Sequence, residues 1–233
     1  MSKNNRSYKS HGLSALLILL ASGGIFTIAQ VIEQLLIGYG LEAMYISFCA
    51  GFILFTPLVS LALHPLLLTH TDGRNEIKAS ALIVNIGLVV IVQGLFFLIW
   101  MTDAIVVYSI YVDSHSFLAN AFNINSENIV NFSQEFYWMN LLLAWIFSFL
   151  SITAGLLPCL IARMKNLGVV GNFVSAFTFA KKHKLILARY AFYLAFSVIM
   201  SLMYAKYLFI ILFPMTLAWI FIAMSKSYLQ STA

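Results

Sequence analysis

The stretch Ala162–Arg189 reads ARMKNLGVVGNFVSAFTFAKKHKLILAR and lies between two apolar runs that are each long enough to cross a bilayer. It contains no acidic residue, yet six of the chain's thirteen Lys and Arg residues fall within it: Arg163, Lys165, Lys181, Lys182, Lys184 and Arg189. Short loops rich in Lys and Arg stay on the cytoplasmic side of a membrane. This segment therefore predicts the direction in which the helices on both sides of it run.

The composition of the 233-residue chain excludes an ordinary soluble domain. Hydrophobic residues make up 62% of it and charged residues 9%, whereas soluble domains carry about 25% charged residues. A bilayer accommodates this much apolar surface because hydrocarbon surrounds each helix. The net charge of +5 does not indicate nucleic-acid binding, because the basic residues stand at the ends of apolar runs, where they set topology and contact lipid headgroups.

Six apolar runs predict six transmembrane helices, at about 13–36, 44–68, 79–102, 136–161, 185–204 and 207–224. With these spans, twelve of the thirteen Lys and Arg residues fall on one side of the membrane, and Lys206 alone falls on the other. We therefore predict an all-α bundle of six transmembrane helices with both termini in the cytoplasm. Pro57 and Pro65 lie inside the second helix, where we expect a bend whose freed carbonyl is satisfied by a neighbouring helix.

The predicted domain organisation is a cytoplasmic tail at 1–12, a transmembrane domain at 13–228 and a second cytoplasmic tail at 229–233. The transmembrane domain includes an outer loop at 103–135 and the inner basic segment at 162–189. The residues AIVVYSIYV near the start of the outer loop either extend the third helix or lie in the membrane interface. The opening LSALLILLASGG resembles a signal peptide, but the apolar run continues through IFTIAQVI, which favours a retained helix.

Within the basic segment, apolar residues recur at helical spacing: Val169, Val170, Phe173, Val174 and Phe177. The pattern predicts a short amphipathic helix on the inner membrane surface, with Lys181 and Lys182 mostly on other faces. Two interpretations are open for this helix and the six basic residues around it. They contact anionic headgroups, or they dock a cytoplasmic partner, as the coupling helices of transport permeases do.

Four polar residues within the spans are candidates for a functional site: Gln30, Glu33, Asn85 and Gln93. An ionisable group in a span is costly and is often functional, and Glu33 shares a helix face with Gln30. The position of Glu33 near the outer end favours contact with headgroups or another helix over cation binding or proton relay. We expect Asn85 and Gln93 to lie on different helix faces and to form interhelical hydrogen bonds.

The chain contains none of the common catalytic motifs GxSxG, HExxH, GxxxxGK[ST] or GxGxxG. His64 and His70 are separated by a proline on poorly matched faces, which favours histidines near headgroups over metal ligands. Cys49 and Cys159 are expected in opposite leaflets, too far apart for a disulfide. We predict a protein that is not an enzyme and that holds no metal or cofactor.

The order of features in roughly the last third of the chain resembles that of small YciC-like proteins of the bacterial inner membrane. The resemblance is carried by GLLPCLIAR, SAFTFAKKHKLILARYAFYLAF and ILFPMTLAWIFIAMSKSYLQ, which are a proline-bearing span end, a helix with a basic break, and a proline-bearing last helix. The N-terminal half departs from it, notably in the long Asn-rich outer loop. The resemblance implies no activity and no functional residue.

Two functions are compatible with these features. The first is a non-catalytic accessory or assembly subunit of a membrane complex, favoured by the small size and the scarcity of deep charge. The second is a small-solute transporter or permease subunit, for which the four polar residues would have to converge on a water-accessible cavity. An enzyme acting on lipids is a distant third. The expected partners are the bilayer, anionic headgroups on the cytoplasmic side, and a membrane protein or a second copy of the chain.

Overall fold

The computed structural model describes residues 3–67, 79–111, 129–165 and 167–232, and every regular element within them is a helix. Six helical stretches are long and apolar enough to cross a membrane, and we call them the first to sixth spans: Gly12–Gly38, Glu42–Leu63, Leu82–Ser109, Glu135–Met164, Lys184–Tyr204 and Lys206–Ser231. This confirms the predicted all-α class and the number of spans. The predicted inner loop at 69–78, with His70, and residues 112–128 of the outer loop lie outside the described residues.

Several helices run beyond the predicted spans. The first helix is Lys3–Gly38 and the last is Phe209–Thr232, so residues predicted as terminal tails continue these helices. The third helix is Ala79–Tyr111, which shows that AIVVYSIY, residues 104–111, extends it. The fourth helix begins at Ile129, inside the predicted outer loop.

Consecutive spans run antiparallel, and side-chain contacts join the ends that meet. At one end, Lys206 contacts Glu33, and Ser47 donates a hydrogen bond of 2.6 Å to Asn140. At the other end, Asn172 donates a hydrogen bond of 3.3 Å to Asn85. We call these the outer end and the inner end, after the sides that the charge distribution predicts.

The second span lies at the centre of the bundle. Of the residues in its most apolar window, 72% are buried, against 22% in the first span and 17% in the third. It packs against the first, third, fourth and fifth spans. The outer surface of the bundle is apolar, as a lipid-facing surface requires; Leu20, Ile83 and Leu98, for example, are each more than 60% exposed.

The second span is also irregular. The α-helical pieces Tyr45–Gly51 and Thr56–Ser60 alternate with the 3-10 segments Phe52–Phe55 and Leu61–Leu63, and a last α-helical piece, His64–Leu67, continues beyond the span. Pro57 has no N–H group with which to continue the α-helical ladder. Irregular backbone is tolerated at membrane depth where protein surrounds it, and the central position of this span meets that condition.

The fourth span widens into one π-helical turn at Ile152–Leu156, immediately before the helix Leu157–Met164. Pro158 stands at the start of that helix, and its ring would clash with the carbonyl four residues earlier in a regular α-helix. A wider turn relieves this clash. This π-helical turn packs against the irregular second span, at its piece Thr56–Ser60.

Candidate functional site

The deepest polar contact joins the second, third and fourth spans about halfway along the bundle. Ser151 Oγ donates a hydrogen bond of 3.0 Å to Gln93 Oε1 and lies 3.4 Å from the carbonyl oxygen of Ile53. Gln93 is only 5% exposed. Each of these residues stands near the middle of its own span, and the contact is enclosed by the bundle. We call Gln93, Ser151 and Ile53 the central cluster.

Gly155 allows the three spans to approach closely at the central cluster. A Cβ atom added to Gly155 would lie 2.6 Å from Gln93 Nε2 and 2.8 Å from Pro57 Cβ, and would overlap Pro57 Cγ. Small residues at helix interfaces permit this kind of close packing in membranes. The cluster is therefore a tightly packed contact between helices.

Polar atoms in the central cluster and in the irregular segments beside it nevertheless lack hydrogen-bond partners. Among the described residues, Gln93 Nε2 and the hydroxyl groups of Thr56 and Thr153 are buried and make no hydrogen bond. The 3-10 segment Phe52–Phe55 and the π-helical turn of the fourth span adjoin the cluster. Sequence reasoning identified Gln93 but missed Ser151 and Gly155, and the prolines of the second and fourth spans were the available signal.

Glu33 forms an ion pair at the outer end. The ammonium group of Lys206 contacts both carboxylate oxygens of Glu33, whose side chain is 17% exposed, while that of Lys206 is 34% exposed. Lys206 also stands over the ring of Tyr45, 5.6 Å from its centroid. Nε2 of Gln30 is buried without a hydrogen-bond partner. The cation beside Glu33 is thus supplied by the chain itself, and Glu33 contacts another helix.

Asn85 takes part in a third polar contact, at the inner end. Its Oδ1 accepts the 3.3 Å hydrogen bond from Asn172, and its Nδ2 lies 3.8 Å from Cys159 Sγ. Asn172 Oδ1 also accepts a 3.2 Å hydrogen bond from the N–H of Leu167. These bonds connect the third and fourth spans to the segment that follows the fourth span.

Asn85 and Gln93, which the sequence predicts on different helix faces, both point into the bundle. Both are buried, as is Val89 between them, so all three belong to the inward stripe of the third span. Eight residues turn a helix by about 80° beyond two full turns, which keeps both amides within a stripe of ordinary width. The two amides are still about 12 Å apart along the helix axis and bond different partners.

The predicted amphipathic segment forms the helix Val169–Lys182, which we call the basic helix. Its Asn172 bonds the third span, and its Phe179 packs against Tyr228 near the end of the sixth span, with ring centroids 5.6 Å apart. Ser175 and Tyr228 also share a hydrogen bond of 2.9 Å. Both ends of the basic helix therefore contact the inner end of the bundle, and the helix lies across that end.

The basic helix turns its apolar stripe away from the bundle. Its buried residues are Asn172, Ala176, Phe179 and Ala180, whereas the outward residues are Val170, Val174 and Phe177, which are 76%, 59% and 52% exposed. Two of the four buried residues are alanines, which allow the helix to approach the spans closely.

The six basic residues of the segment stand on the surface of the inner end. Arg163 is half-buried, and Lys165, Lys181, Lys182, Lys184 and Arg189 are exposed. Lys165 stands 5.7 Å from the ring centroid of Tyr228. The ion pair found among the described residues joins Glu33 to Lys206. None of these six cations is therefore paired with a described carboxylate.

His64 differs from its predicted environment near the headgroups. It is only 7% exposed, and its ring stacks on that of Phe221 with centroids 5.8 Å apart. Cys49 and Cys159 are both buried and free, as predicted. His64 is thus part of the packing between the second and sixth spans.

The three polar contacts lie at three different levels of the bundle, and each one joins helices to each other. Chemically, they supply amide, hydroxyl, thiol and ion-paired groups. Comparisons of this chain with protein-family models, with curated proteins and with solved structures found no match.

Proposed function

We propose that this protein is a non-catalytic accessory or assembly subunit of a membrane complex. The observation that carries the proposal is that three of the four candidate polar side chains bond other parts of the bundle. Glu33 is paired with Lys206, Gln93 with Ser151, and Asn85 with Cys159 and Asn172. Because these contacts lie at separate levels, they serve helix association better than a shared solute site.

The location that we propose is the bacterial inner membrane, with both termini in the cytoplasm. The described carboxylates support this orientation, since Glu33, Glu42, Asp103 and Glu135 all stand at the outer ends of their spans. The basic residues of the segment at 162–189 stand at the inner end, in accord with the positive-inside rule. The resemblance of the last third to YciC-like proteins supports the same location.

The basic helix would lie in the inner membrane interface. Its outward stripe of Val170, Val174 and Phe177 would contact acyl chains, and Lys181 and Lys182 would extend to the headgroups. The contacts of both ends of this helix with the inner end of the bundle support that placement.

Purification from native membranes tests the accessory role. The chain, tagged at its C-terminus, is extracted in a mild detergent, and the proteins that remain bound are quantified. We expect one or more membrane proteins at a fixed stoichiometry, and an unrelated six-span protein with the same tag serves as control. A chain recovered alone, or only with copies of itself, would contradict the proposal.

A small-solute transporter is the second candidate, and one observation favours it. Gln93 carries an unpartnered amide nitrogen beside irregular segments of two spans, and interrupted helices near the midplane form the binding sites of many transporters. Replacement of Gln93 by Leu removes the amide and puts an apolar side chain of similar size in its place. A lost interhelical hydrogen bond of this kind costs about 0.6 kcal/mol on average.

The Gln93→Leu variant distinguishes the two functions. An accessory subunit should keep its partner and support growth of the host cell as the wild type does. A transporter should lose solute uptake while its folded yield stays close to that of the wild type.

A further inference from the structure

Two apolar grooves lie side by side on the surface between the fourth and fifth spans. One has a volume of about 340 Å³, and its walls include Ile146, Phe149, Leu150 and Lys184, which do not line the other groove. The other has a volume of about 480 Å³ and is lined by Arg189, Phe192 and Tyr193. Trp145, Leu185 and Ala188 line both grooves. The indole nitrogen of Trp145 donates a 2.8 Å hydrogen bond to the carbonyl oxygen of Ala188, which holds this shared wall in place.

Each groove carries one cation. Lys184 and Arg189 are both exposed, and no carboxylate of the described residues is paired with either of them. Lys184 is the first residue of the fifth helix, and the preceding His183 makes no side-chain hydrogen bond to the first turn. The N–H groups of an uncapped first turn attract anions. The inner rim of the grooves is therefore positive.

We propose that the two grooves bind one anionic diacyl phospholipid from the inner leaflet. The two acyl chains occupy the two grooves, on either side of the wall formed by Trp145 and Ala188. The phosphate group contacts Lys184 and Arg189. Arg189 starts about 7.5 Å further along the helix than Lys184, and its long side chain reaches back towards the interface while its methylene groups stay on apolar surface.

Charge and shape together favour this occupant. A zwitterionic phospholipid offers the same phosphate, but the ammonium group of its own headgroup offsets that charge and is repelled by the two cations, so a lipid with a net negative charge is favoured. A helix from a partner protein would bury both cations against apolar side chains unless it carried acids at matching positions. The proposal rests on the membrane placement of the bundle and is independent of the accessory role.

The test is retention of dioleoyl-phosphatidylglycerol by the purified protein, measured by native mass spectrometry and compared with dioleoyl-phosphatidylcholine. The test variant is Lys184→Gln with Arg189→Gln. The matched control is Lys181→Gln with Lys182→Gln, which removes the same two charges from the same segment but outside the grooves. Loss of two cation contacts predicts retention of the anionic lipid that is about 30-fold weaker, and the control should stay close to the wild type.

A second variant tests the acyl chains separately. Ala188→Leu changes no charge and fills the shared wall of both grooves, so we expect weaker retention of the anionic lipid. Equal losses in the test and control pairs would show diffuse surface attraction and overturn the proposal. Equal retention of the two lipids by the wild type, or unchanged retention by Ala188→Leu, would overturn it as well. Since the purified protein is used, failure here leaves the accessory role to its own test.

Discussion

Replacement of Gly155 by Ala tests the close packing at the central cluster. The added methyl group would overlap Pro57 Cγ and approach Gln93 Nε2 to 2.6 Å, inside the 3.0 Å below which real Cβ contacts essentially never fall. The ring of Pro57 has little freedom to move away. Overpacking of this kind typically costs about 1–3 kcal/mol.

Gly94→Ala is the matched control. Gly94 lies in the third span, and a Cβ atom added to it meets nothing within 4 Å. The same substitution without a clash stabilises a helix by up to about 1 kcal/mol. The two variants should therefore differ by about 1–4 kcal/mol in the free energy of unfolding.

Thermal unfolding in lipid nanodiscs measures this difference. For a chain of this length, 1 kcal/mol corresponds to about 2–4 °C in Tm, so Gly155→Ala should unfold at least roughly 2 °C below Gly94→Ala. Combining Gly155→Ala with Pro57→Ala removes the nearest ring atom and should recover part of the loss, with a coupling of about 0.5–3 kcal/mol. Equal Tm values for Gly155→Ala and Gly94→Ala would refute the close approach of the three spans.

Three further results are expected. Lys206→Met leaves the carboxylate of Glu33 unpaired and should lower the free energy of unfolding by roughly 1–3 kcal/mol, between the values for an exposed and a buried ion pair. In unfolding experiments, the double variant Lys206→Met with Glu33→Gln should be more stable than Lys206→Met alone. Asn172→Ala removes the hydrogen bonds of the basic helix to Asn85 and to the N–H of Leu167. Trypsin should therefore cut after Lys181 or Lys182 faster than in the wild type when inside-out vesicles are treated. An unchanged rate would show that these hydrogen bonds do not hold the basic helix in place. Cysteine labelling tests the orientation. Tyr39 lies in a turn and is 78% exposed, so Tyr39→Cys should react with a membrane-impermeant maleimide in intact cells. Lys182→Cys should react only after the membrane is opened. The native Cys49 and Cys159 are fully buried and should contribute little background.

The sequence by itself determined the number of spans and the residues near which most of them end. Both are local properties, since about 20 consecutive apolar residues suffice to predict a span. The charge distribution also predicted which ends lie together, and contacts such as that of Glu33 with Lys206 join those ends. The sequence did not show how far the helices continue beyond the spans, as the first helix does to Lys3.

The tertiary structure alone decided which span is central and which polar groups meet. Glu33 and Lys206 are 173 residues apart in the chain, and Gln93 and Ser151 are 58 apart, so no local pattern connects them. The outward position of Val170, Val174 and Phe177 on the basic helix was likewise decided by packing, because Asn172, Ala176, Phe179 and Ala180 form the buried side. The physical reason is that lipid and protein interior are equally apolar to a side chain in a membrane span. Hydrophobicity therefore places a helix in the bilayer, while close contacts such as that between Gly155 and Pro57 decide which neighbours it packs against.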